Sequence, residues 1–474
     1  MTEETTLING QWRRLANRRP VRNPATGNTV GTVCWGDAAL AAEAADAAAA
    51  AFGTWSKTPP RERADILFRA ADLLLQRREA IAAILAAEAG KRLPEALGEI
   101  SFSIEYLRWF AEEARRPLGT VIPSEDPARR HLTTRSAAGV VLTLTSWNFP
   151  CSLQARKLAP ALAAGCTVVA RVSERAPLAA AELVRALDDA GLPPGVLNLV
   201  HGPAREITET LLAHPAVRVV TFTGSTGVGR QIMATAAQRV VRPLLELGGD
   251  APFIVFDDAD LEAAVDAAVL AKTRNTGQSC VAANRFFVQE GIFEDFVTRL
   301  AARLDALSIG DGSAEPVPDL GPMIDQDSVA GVQRMVDQAL GLGAKERTSW
   351  RDVPAQGSFL RPMLLTDVPE EAALAREEVF GPVAAAFPFK DEAELLSRAN
   401  NTEMGLAAYV FAKDAGRCWR IAEALEAGIV GINDPLPSVA FAPMGGVKQS
   451  GLGREGASLG MEEFTEPKYL AWRP

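Results

Sequence analysis

From Gly139 onward the chain keeps a rhythm that few folds accommodate. Short apolar runs, GVVLTLTS (139–146), CTVVAR (166–171), VLNLV (196–200) and RVVTFTGS (218–225), alternate with helical stretches such as 152–164 and 177–190. This is the βαβα pattern of a parallel sheet with helices on its faces. A second α/β series follows LELGGD (245–250). It runs through APFIVF, a helix at 260–272, RFFVQE, a helix at 292–306, AAYVFA and GIVGIN. Upstream, 38–51 and 61–115 are rich in Ala, Leu, Glu and Arg and read as helices, broken around SKTPPRER and GKRLPEA. The Gly- and Pro-richer stretch 310–368 carries no assignable period. Two α/β domains are the economical reading of 474 residues.

Composition narrows the function. A net charge of −10 argues against nucleic-acid or anionic-membrane partners. The acidic N-terminus lacks an apolar signal region. Ser136–Ala155 is uncharged over a membrane-spanning length, but Asn148, Pro150 and Gln154 make it a strand, a loop and a helix start. A cytoplasmic location is expected. Cys34, Cys151, Cys166, Cys280 and Cys418 are scattered without a C-x-x-C, and the three histidines are isolated. Neither a disulfide framework nor a metal site is expected.

One segment invites a false reading. SGLGREG (450–456) spells the G-x-G-x-x-G of a dinucleotide-binding turn. That turn must follow a strand and open a helix so that backbone N–H groups meet pyrophosphate. FAPMGGVKQ precedes it instead, and the chain ends too soon afterwards for a second half of a βαβ unit.

Three stretches resist a bland packing explanation. TSWNFP (145–150) ends an apolar strand, where an Asn amide can face a developing charge, although Asn before Pro is ordinarily a turn. In LELGGD, Glu246 lies in an apolar run before two glycines that permit close backbone approach. It is paired, exposed or a base with a raised pKa. RNTGQSC (274–280) ends in Cys280 after a polar loop, a nucleophile if the loop favours thiolate and otherwise a structural thiol.

Together these stretches resemble the aldehyde dehydrogenase superfamily. PATG (24–27), WNFP, PALAAGC (160–166), FTGSTGVG (222–229), ELGG, NTGQSC, EEVFGPV (377–383) and GGVKQSGLGREG (445–456) occur in the family's order and spacing over nearly the whole chain. No histidine has the context that a Cys–His hydrolase would need. The resemblance implies a Rossmann-like NAD-binding domain (1–117 and 139–246), an α/β catalytic domain (247–445) and oligomerisation or bridging segments (118–138 and 446–474). It implies a homodimer or homotetramer. It also implies Cys280 as nucleophile, Asn148 with the Cys280 N–H as oxyanion hole, Glu246 as general base and Lys157 in the catalytic set.

For the dinucleotide, the resemblance points to GSTGVG, where a strand precedes and a helix follows. Gly224 and Ser225 would lie near the pyrophosphate. Thr145, Ser146 and Trp147 would line the cleft, Leu247 would touch the nicotinamide side, Glu378 would hold its ribose and Phe380 would pack beside it. At the adenosine ribose, RVSE supplies Arg171, Ser173 and Glu174. Glu174 repels a 2′-phosphate and favours NAD, while Arg171 pulls toward NADP.

The succinate-semialdehyde branch clamps its substrate's carboxylate with two arginines and a serine, matched here to Arg156, Arg274 and Ser450. An ω-carboxylated aldehyde is therefore expected, succinate semialdehyde first and glutarate semialdehyde within reach. The alternatives are a general aldehyde dehydrogenase for uncharged aldehydes or a catalytically silent homologue. The loop 433–446 departs from the branch. Ala282 stands where some members carry a second Cys, so no redox-switch disulfide is expected. Asp250 stands where Asn or Lys is commoner, for no reason legible in the sequence.

Overall fold

The computed structural model describes residues 2–116, 119–349 and 351–474. The expected domain boundary at 117/118 lies outside the described residues. Two large sheets carry the architecture. The first runs in the spatial order Gly451–Leu452, Arg242–Glu246, Val217–Thr223, Val140–Leu144, Thr167–Arg171, Leu197–Leu199, Thr6–Ile8, Gln11–Arg13. Its five middle strands are parallel, and antiparallel strands close both edges. From Val140–Leu144 the chain winds outward one way, then returns to wind the other way through Val217–Thr223. That reversal opens a crevice at the strands' carboxyl ends, the place where such sheets bind ligands.

The second sheet has the order Lys345–Glu346, Met363–Thr366, Val383–Phe389, Ala283–Gln289, Ala251–Val255, Ala407–Phe411, Ile429–Ile432, parallel except for its first strand. The strands Val140–Leu144 and Ala251–Val255, one in each sheet, are buried throughout. Each sheet is flanked by its own apolar clusters. A third, three-stranded antiparallel sheet pairs Thr465–Trp472 with Arg130–Ala137 and the latter with Thr120–Ile122.

The chain passes from the first sheet to the second in four residues. Glu246 ends one strand, Ala251 begins the next, and Leu247–Asp250 cross between. The crossing is tight: a Cβ on Gly249 would stand 2.2 Å from the Cys280 carbonyl oxygen. Only glycine passes there.

Several elements differ from the sequence reading. The helical stretch 61–115 breaks at Arg77 as well as at Gly90, giving Pro60–Gln76, Arg78–Ala89 and Leu93–Glu113. No Gly or Pro marks the Arg77 break. The unassigned stretch 310–368 holds a helix, Gln326–Gly341, whose Asp325 cap accepts from Ser328 N at 2.8 Å. Two buried glutamates cap helices from a distance. Glu88 accepts from Leu178 N and Ala179 N, and Glu99 from Cys151 N and Ser152 N. A carboxylate there satisfies orphan N–H groups and meets the positive helix end.

Candidate active site

The two sheets meet around one cleft of about 210 Å³. Its contributors from the first sheet sit at the carboxyl ends of the strands. Ser146, Trp147 and Asn148 follow Val140–Leu144, Gly224 and Ser225 follow Val217–Thr223, and Glu246 ends its strand while Leu247 starts the crossover. From the amino ends of the second sheet come Cys280, ahead of Ala283–Gln289, and Glu378 and Phe380, ahead of Val383–Phe389.

Cys280 and Glu246 face each other. Burial, and after it the Glu246 carboxylate, push the Cys280 thiol well above its ordinary pKa, with Arg156 pulling it back. Burial and then Glu455 raise Glu246, while Arg156, the Cys280 thiol and Lys157 oppose the shift. A neutral thiol beside a carboxyl of raised basicity is the pairing in which the carboxylate accepts the proton.

Asn148 is held from behind. Lys91 Nζ and Asn275 Nδ2 donate to its carbonyl oxygen at 2.9 and 3.0 Å. Lys91 also pairs with Glu99. Asn148 Nδ2 gives one hydrogen to Gln278 O at 3.2 Å, and its second hydrogen is the donor left for a ligand. Asn275 and Thr276 both adopt left-handed backbone, with φ of 52° and 56°. That strain delivers Asn275 Nδ2 to both Asn148 O and Gln278 O.

Lys157 does not line the cleft. It is fully buried, pairs with Glu455 and donates to Thr221 Oγ1 at 3.1 Å. Its charge bears on Glu246 from that position. Glu455, hidden inside the misleading SGLGREG, was missed by the sequence reading. It serves both Lys157 and Arg156, whose Nη1 lies 3.7 Å from Oε2.

The two arginines differ. Arg156 is buried, donates to Tyr106 Oη and Ser438 Oγ, both at 3.2 Å, and touches Met444 Sδ. Its charge reaches Glu246 and Cys280. Arg274 is half-buried with its guanidinium 5.2 Å from the Phe149 ring centroid, and its charge bears on Tyr409, which also feels Cys280. Ser450 corrects the sequence reading. It is fully buried, donates to Gly248 O at 2.7 Å and accepts from Gly405 N at 2.8 Å. KQSG leads straight onto the sheet edge, where Gly451 pairs with Glu246, so the hydroxyl turns inward onto the crossover. The serine that meets Arg156 is Ser438, on the loop between Ile432 and Lys448, which carries no period to single it out.

The cleft suits a dinucleotide. Ser225 supplies no capping side chain, so the N–H groups at the start of Thr226–Ala237 remain free for an anion. Thr145 Oγ1 and Thr223 Oγ1 are buried without a partner. Trp147 and Phe380 meet edge to face at 5.5 Å. At the far end, Arg171 donates to Glu174 at 2.6 Å and to Gly202 O at 3.2 Å. Burial works against the Glu174 carboxylate, but Arg171 and backbone N–H contact hold it below the usual range. Ser173 Oγ is engaged locally, accepting from Arg175 N at 3.4 Å.

Comparison with known proteins agrees with this geometry. The model of the aldehyde dehydrogenase family matches residues 12–470. A glutarate-semialdehyde dehydrogenase of Pseudomonas putida is 45% identical over 98% of this chain and 97% of its own length. A succinate-semialdehyde dehydrogenase [NADP(+)] of Escherichia coli is 43% identical over the same shares. The crystal structure of a succinate-semialdehyde dehydrogenase from Burkholderia pseudomallei superposes with a TM-score of 0.97 at 44% identity, covering 99% of this chain and 98% of that one. A whole-chain family match, near-full-length relatives and a shared architecture all agree: this chain is an oxidoreductase that belongs to the aldehyde dehydrogenase family.

Proposed function

We propose that the protein oxidises an aldehyde bearing a carboxylate at its far end to the corresponding diacid, with succinate and glutarate semialdehyde as the first candidates. The observation that carries this reading is a buried arginine, Arg156, with Ser438 on its guanidinium and its charge directed at Cys280 and Glu246. Arg274 lies by the Phe149 ring, and its charge bears on Tyr409, which also feels Cys280. A carboxylate between two guanidiniums gains charge-assisted bonds that an apolar aldehyde lacks. The relatives named for succinate and glutarate semialdehyde support the same class.

Glu246 takes the Cys280 proton and the thiolate adds to the aldehyde carbon. The oxyanion of the thiohemiacetal receives the free Asn148 hydrogen and the Cys280 N–H. The bound dinucleotide supplies a hydride acceptor at the nicotinamide. Once Glu246 has passed the thiol's proton on to solvent, it removes a proton from the water that hydrolyses the thioester formed by hydride loss. Lys157 and Glu455, behind Glu246, tune its basicity. Because Glu246 works as a carboxylate and burial raises its pKa, turnover rises with pH through a value above the usual carboxylate range.

NAD is the preferred cofactor in this reading. Arg171 is already paired with Glu174, so a 2′-phosphate would meet an acidic edge and a neutralised guanidinium. Gly224 and Ser225 hold pyrophosphate and Glu378 the nicotinamide ribose. The three-stranded arm exposes Val121, Tyr469 and Trp472, which supports its use in a homodimer or homotetramer. No helix among the described residues is long and apolar enough to cross a membrane.

The test compares kcat/KM for succinate semialdehyde, glutarate semialdehyde and butanal, in the wild type and in Arg274→Ala. The acids lead in the wild type. Arg274→Ala raises KM for the acids about 10- to 100-fold, the worth of a lost charge-assisted bond, and leaves butanal unchanged. A wild-type preference for butanal sinks the reading.

A further inference from the structure

Four charged or polar side chains that the reaction does not touch lie buried behind the crossover Leu247–Asp250. Asp250 pairs through Oδ2 with Arg285 Nε at 2.8 Å, and Arg285 also donates to Asp250 O at 3.1 Å and Ala399 O at 3.0 Å. Lys272, fully buried on the helix Leu261–Thr273, donates to Asn284 Oδ1 at 2.9 Å. Asn284 Nδ2 faces Gly249 O at 3.5 Å. On the opposite side of that peptide stretch, Gly249 N donates to Glu378 Oε1 at 3.1 Å. A chain of polar contacts therefore runs from Lys272 through Asn284 and Gly249 to Glu378, with Asp250 as the next residue along the turn.

The electrostatics follow the same route. Burial pushes Glu378 up to about 8, the Gly249 N–H and Lys272 pull it down, and Glu246 and Asp250 push it further up. Burial pulls Lys272 down to about 7 against Asp250 and Glu378. Asp250 rises to about 6 through burial, opposed by Arg285, Thr402, Asn284 and Lys272. A buried ion cluster adds little net stability over an apolar core of the same shape, and its best-attested use is specification.

We propose that Asp250 and Lys272 are positioning residues for the dinucleotide, and that the cluster they form with Asn284 and Arg285 sets both the placement of Glu378 and the charge it offers the nicotinamide ribose. The proposal rests on the reading that Glu378 holds that ribose. A carboxylate accepts a hydroxyl hydrogen more strongly than a neutral acid does. The affinity for NAD therefore rises as Glu378 ionises. Near pH 8 Asp250 carries its charge, so removing it eases the ionisation of Glu378. Lys272, held at about 7, is only partly charged there, so removing it hinders that ionisation by a smaller amount.

The experiment follows the Kd of NAD by tryptophan fluorescence from about pH 6 to about pH 9.5, the range that spans these groups, with kcat measured alongside. In the wild type Kd falls as pH rises through about 8. Glu378→Gln flattens the curve. Asp250→Asn moves the fall to lower pH by about one unit, and Lys272→Met moves it to higher pH by a smaller step. Lys272→Arg, which keeps its charge throughout, does not move the fall to higher pH. Opposite displacements are not what loss of packing produces. Unmoved curves, or both variants moving the same way, overturn the proposal. If Asp250→Asn does not fold, Lys272→Met decides alone, and an unmoved curve there overturns it. If Glu378→Gln keeps the wild-type fall, the ribose reading itself is wrong and the cluster loses its role with it. An abolished fall combined with an unmoved Lys272→Met curve rejects the cluster only.

Discussion

The two large sheets turn opposite ends toward the same cleft. The first presents the carboxyl ends of its strands, the usual position for ligands in a doubly wound sheet. From there come the free N–H groups at the start of Thr226–Ala237, the indole of Trp147, the Asn148 amide and the Glu246 carboxylate. The second presents its amino ends, and from there come the Cys280 thiol and the Glu378 carboxylate. The first sheet thus supplies most of what holds, together with a base, while the second supplies the atom that reacts. Neither sheet could make the site alone, because the base and the nucleophile it serves belong to different sheets.

Substitutions separate these contributions. The largest effect is expected for Cys280→Ala, which removes the second sheet's reacting atom. Turnover should fall by about 10⁴-fold or more, as for other deleted nucleophiles, while NAD binding measured by fluorescence persists. Loss of binding together with turnover would contradict the division between the sheets. Asn148→Ala tests it from the other side, since Asn148 belongs to the sheet that chiefly holds. A fall of about 10² to 10³ in kcat, the usual cost of one oxyanion donor, would show that the first sheet reaches into the chemistry. An effect on KM alone would confine it to binding. The smallest effect is expected for Ser438→Ala, on a loop outside both sheets. KM for the acidic aldehyde should rise about 3- to 10-fold, the worth of one neutral-to-modest hydrogen bond, with kcat for butanal untouched.

The sequence revealed the first sheet more fully than the site. Uninterrupted runs such as TVVAR and VVLTL are strands buried on both faces, and their period leaves little choice. VAAAFPF (383–389) was passed over because its three alanines and a proline carry little β signal, and only neighbouring strands make it one. Cys280, Glu246 and Asn148 were legible because each stands where an apolar run meets glycine or proline. The groups behind them were not. Lys91, Glu99, Asn275 and Glu455 lie 8 to 364 positions apart in different elements, and their pairing exists only after folding. Ser450 shows the same limit in reverse. Its position in the chain looked right, but its hydroxyl direction is set by two backbone groups from distant segments.

The crossover has a bearing on how the protein can be cut and rebuilt. Four residues span at most about 14 Å even when fully extended, and these four are wedged against Cys280 and Glu378. A peptide inserted between Gly248 and Gly249, or a split of the gene at that point, would let the base drift from its nucleophile while leaving both sheets intact. Such a product should fold, bind NAD and fail to turn over. The exposed turn at Leu342–Gly343, by contrast, is far from any of these groups in the chain and offers a port where added sequence would be silent.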